Sequence, residues 1–201
     1  MVDRTKVIGI TGGVGSGKSH VCALIEKHLG YPVIDSDSIS RNQMEPGGPV
    51  LKKVVEEFGE DILNPDGSLN RSALAAIVFQ DDEKLEKLNR ITHPAVIEEI
   101  EQRISNYAKR NIPFVFVESA LACSAGYRSF CDEIWMVSAP ENVRRYRLKK
   151  SRNYTDERIS SMFAEQMSEE EMRRLCDKVV SNGNMVGDIE LCYQLESLLE
   201  I

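Results

Sequence analysis

Apolar positions along this chain follow two rhythms. Short runs rich in branched residues, over 6–11 (KVIGIT), 32–35 (PVID), 113–119 (PFVFVES), 133–139 (EIWMVSA) and 177–182 (DKVVSN), read as five strands. Between them the spacing lengthens to that of helices. Val21, Leu24, Ile25 and Leu29 make one apolar face over 18–30, and Gly30 supplies the stop signal. From 49 to 111 the pattern is helical almost throughout. Val50, Leu51, Val54, Val55 and Phe58 share a face, NPDGSLN (64–70) is a turn, and RSALAAIVF and EKLEKLNRI are short helices. A longer helix follows, with Val96, Ile97, Ile100, Ile104 and Tyr107 in a stripe and Pro94 in its first turn. Residues 140–166 read as two helices joined by a short basic turn, and a helix ending in LESLLE closes the chain. Strands alternating with helices predict an α/β fold, a parallel sheet covered by helices on both faces.

Composition narrows the class. The chain has 201 residues, 42% apolar and 28% charged, which suits one globular α/β body rather than a disordered chain. With 25 Lys and Arg against 32 Asp and Glu the net charge is −7, the wrong sign for a nucleic-acid surface. Five cysteines (22, 123, 131, 176 and 192) include no C-x-x-C pair, and His20, His28 and His93 show no ligand spacing. They read as free thiols of a reducing cytoplasm. No apolar signal core opens the chain, and no window approaches the ~18 apolar residues of a membrane span.

The first strand runs into Gly12-Gly13-Val14-Gly15-Ser16-Gly17-Lys18-Ser19, which meets G-x-x-x-x-G-K-[ST] at every fixed position. Strand before and helix after are the context that motif requires. Its glycines let backbone N–H groups turn toward phosphate oxygens, Lys18 reaches the β- and γ-phosphates, and Ser19 is the Mg²⁺ ligand. The fold class is therefore a five-stranded P-loop NTPase type that binds a nucleoside triphosphate with Mg²⁺. A GTPase would carry N-K-x-D and a transporter ATPase L-S-G-G-Q. Neither string is present, which leaves a small-molecule kinase.

VIDSDSISR (33–41) places Asp35 and Asp37 just past the second strand. In an extended stretch their side chains point the same way. A carboxylate near a transferring phosphate accepts the proton of an attacking hydroxyl or holds Mg²⁺. The structural alternative is helix capping by Asp37 or Ser38.

With these residues in view the chain resembles the dephospho-CoA kinase family. The likeness is carried by GITGGVGSGKS, VIDSDSISR, FGEDILNPDGSLNRSALAAIVF, LNRITHP and DKVVSNG. It implies phosphorylation of the ribose 3′-hydroxyl of dephospho-CoA, with ATP as donor. It also implies three parts: a nucleotide core (1–48, 112–140 and 177–201), a helical acceptor-binding insertion (49–111) and lid helices (141–176). Carried over by position, Asp37 is the base and Asp35 the weaker candidate. Arg41, Arg71 and His93, which precedes Pro94 at a helix start, belong to the acceptor site. Arg147, in the basic stretch RRYRLKKSR, lies at a basic lid position and joins Lys18 and Asp37 as catalytic. The implied partner is a small molecule, not nucleic acid or membrane, and the protein a monomer or weak homo-oligomer. Three places depart from the family: Ser151 and Ser161 stand where arginines are usual, and Ala122-Cys123 where Phe-Glu is usual. Lys150 or Arg152 is then left to supply the lid charge. The alternatives are another nucleoside or nucleotide kinase, or a nucleotide-binding homologue weakened in catalysis.

Overall fold

A computed structural model describes residues 4–123, 126–184 and 186–201. The five expected strands form: β1 (Lys6–Thr11), β2 (Val33–Asp35), β3 (Phe114–Glu118), β4 (Glu133–Ser138) and β5 (Lys178–Ser181). They join one sheet in the order β2-β3-β1-β4-β5. β1 lies parallel to both β3 and β4, and β4 to β5. Central placement of β1 explains its composition: Ile8 and Ile10 are fully buried, as a strand covered on both faces requires.

The chain divides into two compact units, one of residues up to Ile34 with Ile104–Ile201, the other Asp35–Arg103. In the first, Ile8, Ile10, Phe116, Trp135 and Val180 pack against Val21 and Leu24 of α1 (Lys18–Leu24) and Leu191, Leu195 and Leu199 of α9 (Asp188–Leu199). α1 runs on as one π turn over Ile25–Leu29 and stops at Gly30, whose φ of 71° is the left-handed end that glycine allows. The Trp135 ring meets Phe116 edge-on at 6.0 Å, and its indole N–H donates to Glu133 (2.7 Å). Glu133 also takes Lys6 at 2.6 Å and Lys178 at 3.3 Å, tying the starts of β1, β4 and β5 together. Gln194 of α9 closes the rim of β5: its amide oxygen accepts from Ser181 N (2.9 Å) and its NH₂ donates to Ser181 O (3.2 Å).

The second unit holds α2 (Ser36–Gln43), α3 (Leu51–Phe58), α4 (Arg71–Val78) and most of α5 (Asp82–Lys109). Val54, Ile62, Leu74 and Val78 form its core. A short helix and a longer one were expected where the single 28-residue α5 stands, with Pro94 in its interior rather than in a first turn. The apolar stripe explains the continuity. Leu85, Leu88, Ile91 and Ala95 pack on one core at helical spacing straight through the proline. The carbonyl that Pro94 leaves without a donor belongs to Arg90, an exposed residue.

α6 (Glu141–Arg152) and α7 (Asp156–Ala164) match the two helices expected over 140–166, but the turn between them carries no Lys or Arg. The basic residues lie on α6, and Asn153 makes the turn at φ 53°. α8 (Glu169–Leu175) was not legible, since EEEMRRL has too few apolar positions to show a period. A Ser168–Glu171 capping box starts it.

Candidate active site

β1 ends at Thr11 and the chain turns through the glycine loop before α1 begins at Lys18. Gly12 has φ +148°, and a Cβ there would strike the Val137 carbonyl of β4. Gly17 has φ +94° and leads into α1 with no side chain capping it. A Cβ on Gly17 would strike the Asn182 amide. The loop is thus shaped by close backbone approach that other residues would block.

Its polar groups are served from other elements of the same unit. Lys18 Nζ donates to the Gly12 carbonyl at 2.7 Å. Val14 N–H donates to Gln166 Oε1 at 3.0 Å. The Ser16 carbonyl accepts from Asn182 Nδ2 (2.8 Å) and Arg147 Nη1 (3.1 Å), while Arg147 Nη2 donates to Asn182 Oδ1 (3.1 Å). Asn182 is buried and Arg147 half-buried, and this burial pulls the guanidinium below its usual value. Ser16 Oγ is buried with no hydrogen-bond partner among the described residues. Ser19 donates to Glu118 Oε1 at 2.8 Å; Glu118 ends β3 and pairs in register with Ile10 beside the loop. Arg144 of α6 lies against Gly13, where a Cβ would strike its guanidinium, and stacks on Phe163 of α7 at 4.3 Å.

Sequence reasoning singled out Lys18, Ser19 and Arg147 but not Glu118, Arg144, Gln166 or Asn182. Glu118 had a readable signal, an acid closing an apolar strand. The other three sit in polar stretches where nothing local distinguishes them. Of the residues that depart from the resemblance, Ser151 donates to the Arg147 carbonyl (2.7 Å), and Ser161 to Glu165 (3.1 Å). Ala122 is fully buried. Lys150 and Arg152, the expected substitutes, are exposed, with Lys150 5.8 Å from the Tyr146 ring centre.

In the second unit the acids separate. Asp35 is the N-cap of α2, accepting from Ser38 N at 3.0 Å through Oδ1 and from the Ser38 hydroxyl through Oδ2. Capping therefore falls to Asp35, not to Asp37 or Ser38 as expected. Asp37 is in the first helical turn, so the two do not share the direction an extended stretch would give. Its exposed carboxylate has no hydrogen-bond or ion-pair partner among the described residues. Arg41 reaches Ser38 Oγ at 2.9 Å and lies 3.7 Å from Asp35. Arg71 opens α4 and lies 3.8 Å from Glu45. His93 is exposed in the interior of α5, which corrects the expected helix start.

A model of the dephospho-CoA kinase family matches residues 6–188. The chain belongs to that family. Among curated dephospho-CoA kinases it is 34% identical to one from Dehalococcoides mccartyi over 190 residues, 94% of this chain and 95% of that one. It is 37% identical over 180 residues to another from Carboxydothermus hydrogenoformans, 90% and 87% of the two chains. The crystal structure of TT1252 from Thermus thermophilus superposes with a TM-score of 0.83 at 32% identity, covering 98% of each chain. Shikimate kinase from Acinetobacter baumannii shares the fold at a TM-score of 0.52 and 15% identity. Family membership agrees with the five-stranded P-loop kinase architecture expected from the sequence. No helix among the described residues is long and apolar enough to cross a membrane.

Proposed function

We propose that this member of the dephospho-CoA kinase family transfers the γ-phosphoryl group of ATP to the ribose 3′-hydroxyl of dephospho-CoA, completing CoA. The observation that carries the reading is the phosphate loop, complete at every fixed position, with Ser19 set against Glu118 (2.8 Å). A hydroxyl and a carboxylate side by side are hard oxygen donors and fit Mg²⁺. Ser19 and Glu118 would hold the ion or its waters, and the ion would offset charge on the phosphates.

The protein's own residues position and neutralise. Lys18 leaves the Gly12 carbonyl for the triphosphate, and Val14 N–H exchanges Gln166 for a phosphate oxygen. Arg144 and Arg147 bring two guanidiniums to the loop from α6, so the lid keeps positive charge although residues 151 and 161 are serines. Such groups lower the barrier by stabilising charge on the moving phosphoryl group. Asp37 takes the proton of the attacking hydroxyl. It suits that role because it is exposed and uncommitted, whereas both oxygens of Asp35 are engaged with Ser38. Arg41, Arg71 and His93, exposed in the same unit, are offered as acceptor contacts. Five free cysteines suit a reducing cytoplasm.

ADP release coupled to a reporter, measured with dephospho-CoA, adenosine and AMP, tests the assignment. Turnover with dephospho-CoA alone is expected, and ATP binding without that turnover sinks it. Asp37→Asn should lower kcat by about 10²–10⁴ with KM for ATP little changed. An unchanged kcat removes Asp37 as the base.

A further inference from the structure

Two cysteines outside the phosphate loop stand in a relation that phosphoryl transfer does not use. Cys123 follows β3 in the loop after Ser119, and Cys176 ends α8 just before β5. They are 53 positions apart in sequence, yet their sulfurs are 3.4 Å apart with a hydrogen bond between them. Both are free and only partly buried. A guanidinium stands beside them: Arg128 holds Asp177, next to Cys176, at 2.7 Å and also donates to the Leu175 carbonyl. Cys22 and Cys131 are buried away from solvent.

We infer that Cys123 and Cys176 form an oxidisable dithiol, in which Cys123 reacts with a hydroperoxide and Cys176 resolves the product to a disulfide. The Cys123 thiolate attacks the peroxide oxygen; the O–O bond breaks, sulfur is oxidised to the sulfenic acid, and the peroxide leaves as alcohol or water. Cys176 sulfur then attacks the sulfenic sulfur, the S–S bond forms, and the hydroxyl group leaves with the Cys176 proton as water. Two thiols lose two electrons and one peroxide gains them. Bonded sulfurs lie ~2.05 Å apart, so closure moves them together by about 1.4 Å, which the loop after β3 and the end of α8 can share.

Reactivity supports the order of attack. The hydrogen bond from Cys176 holds the Cys123 thiol down to about 7, with the Thr11 hydroxyl and Arg128 adding to it against desolvation. The same bond and burial push Cys176 up, as fits a resolving thiol. Desolvation raises Cys192, also partly buried, above its ordinary 9.0. Near neutral pH Cys123 therefore carries more of the reactive thiolate than Cys192. The disulfide would fasten the loop that touches Thr11, at the foot of the phosphate loop, to the segment entering β5.

The test uses the full chain at neutral pH with stoichiometric hydrogen peroxide, alkylation of remaining thiols and peptide mass mapping. A Cys123–Cys176 cross-linked peptide that dithiothreitol removes is expected, forming before Cys192 is oxidised. Cys176→Ser should leave a sulfenic acid on Cys123 that dimedone traps, and Cys123→Ser should abolish the cross-link. Oxidation of Cys192 at the rate of Cys123, a different pairing, or loss of Cys176 thiol unaffected by Cys123→Ser would overturn the inference.

Discussion

Asn182→Ala isolates the clamp behind the phosphate loop. The amide makes two hydrogen bonds, donating to the Ser16 carbonyl at 2.8 Å and accepting from Arg147 at 3.1 Å. A neutral bond contributes about 1 kcal/mol and one to a charged group about 1.5–3 kcal/mol. The Ser16 carbonyl keeps its bond from Arg147 Nη1, and half-buried Arg147 reaches water, so part of the loss is recovered. The net cost is therefore about 2–3 kcal/mol, read as a fall in Tm of ~4–12 °C for a chain of this size. The loop loses its anchor on the side facing Gly17, so ATP affinity falls as well. Calorimetric melting with and without ATP, together with titration calorimetry of ATP binding, measures both. A Tm within about 1 °C of wild type with unchanged ATP affinity would refute the claim that Asn182 holds the loop in its binding shape.

Two further outcomes follow from the same geometry. Asp35→Ala should cost about 1 kcal/mol through loss of the α2 cap, whereas Asp35→Asn keeps the cap and the rate, so thermal melts and kcat on both variants separate capping from catalysis. For Glu133, burial pushes the carboxyl up but hydrogen bonds from Lys6, Trp135 and Lys178 overcome it and leave it below its ordinary 4.5. A depressed folded value means stabilisation present above pH 4.5 and lost as pH falls through the folded value. Urea unfolding of Glu133→Gln should therefore show a deficit at neutral pH that narrows in acid, and a gap independent of pH would contradict it.

The sheet was legible because each strand announces itself over four to seven residues, and the loop because its glycines and Lys18 are fixed by local geometry. Separate helices over 83–91 and 93–111 were a misreading of Pro94: tertiary packing of Leu88, Ile91 and Ala95 on one core outweighs the single bond the proline removes. The direction of Asp35 and Asp37 was wrong for a related reason. Where the strand stops and the helix starts is decided by Asp35 bonding to Ser38, and one residue's difference turns Asp37 to another face. Gln166, Asn182 and Arg144 were hidden because their partners lie from 131 to 166 positions away along the chain, beyond any local pattern. A separation of 53 positions likewise concealed the meeting of Cys123 with Cys176.

Gln194 bears on how this protein keeps company in a crowded cell. The last strand of an open sheet offers unpaired amides that a second chain can extend. At Ser181 that template is already taken, because one side-chain amide presents both a donor and an acceptor in place of a sixth strand. The sheet ends there by imitation of its own continuation. A neighbouring chain meets a rim whose last rung is already filled, by a residue far from any chemistry.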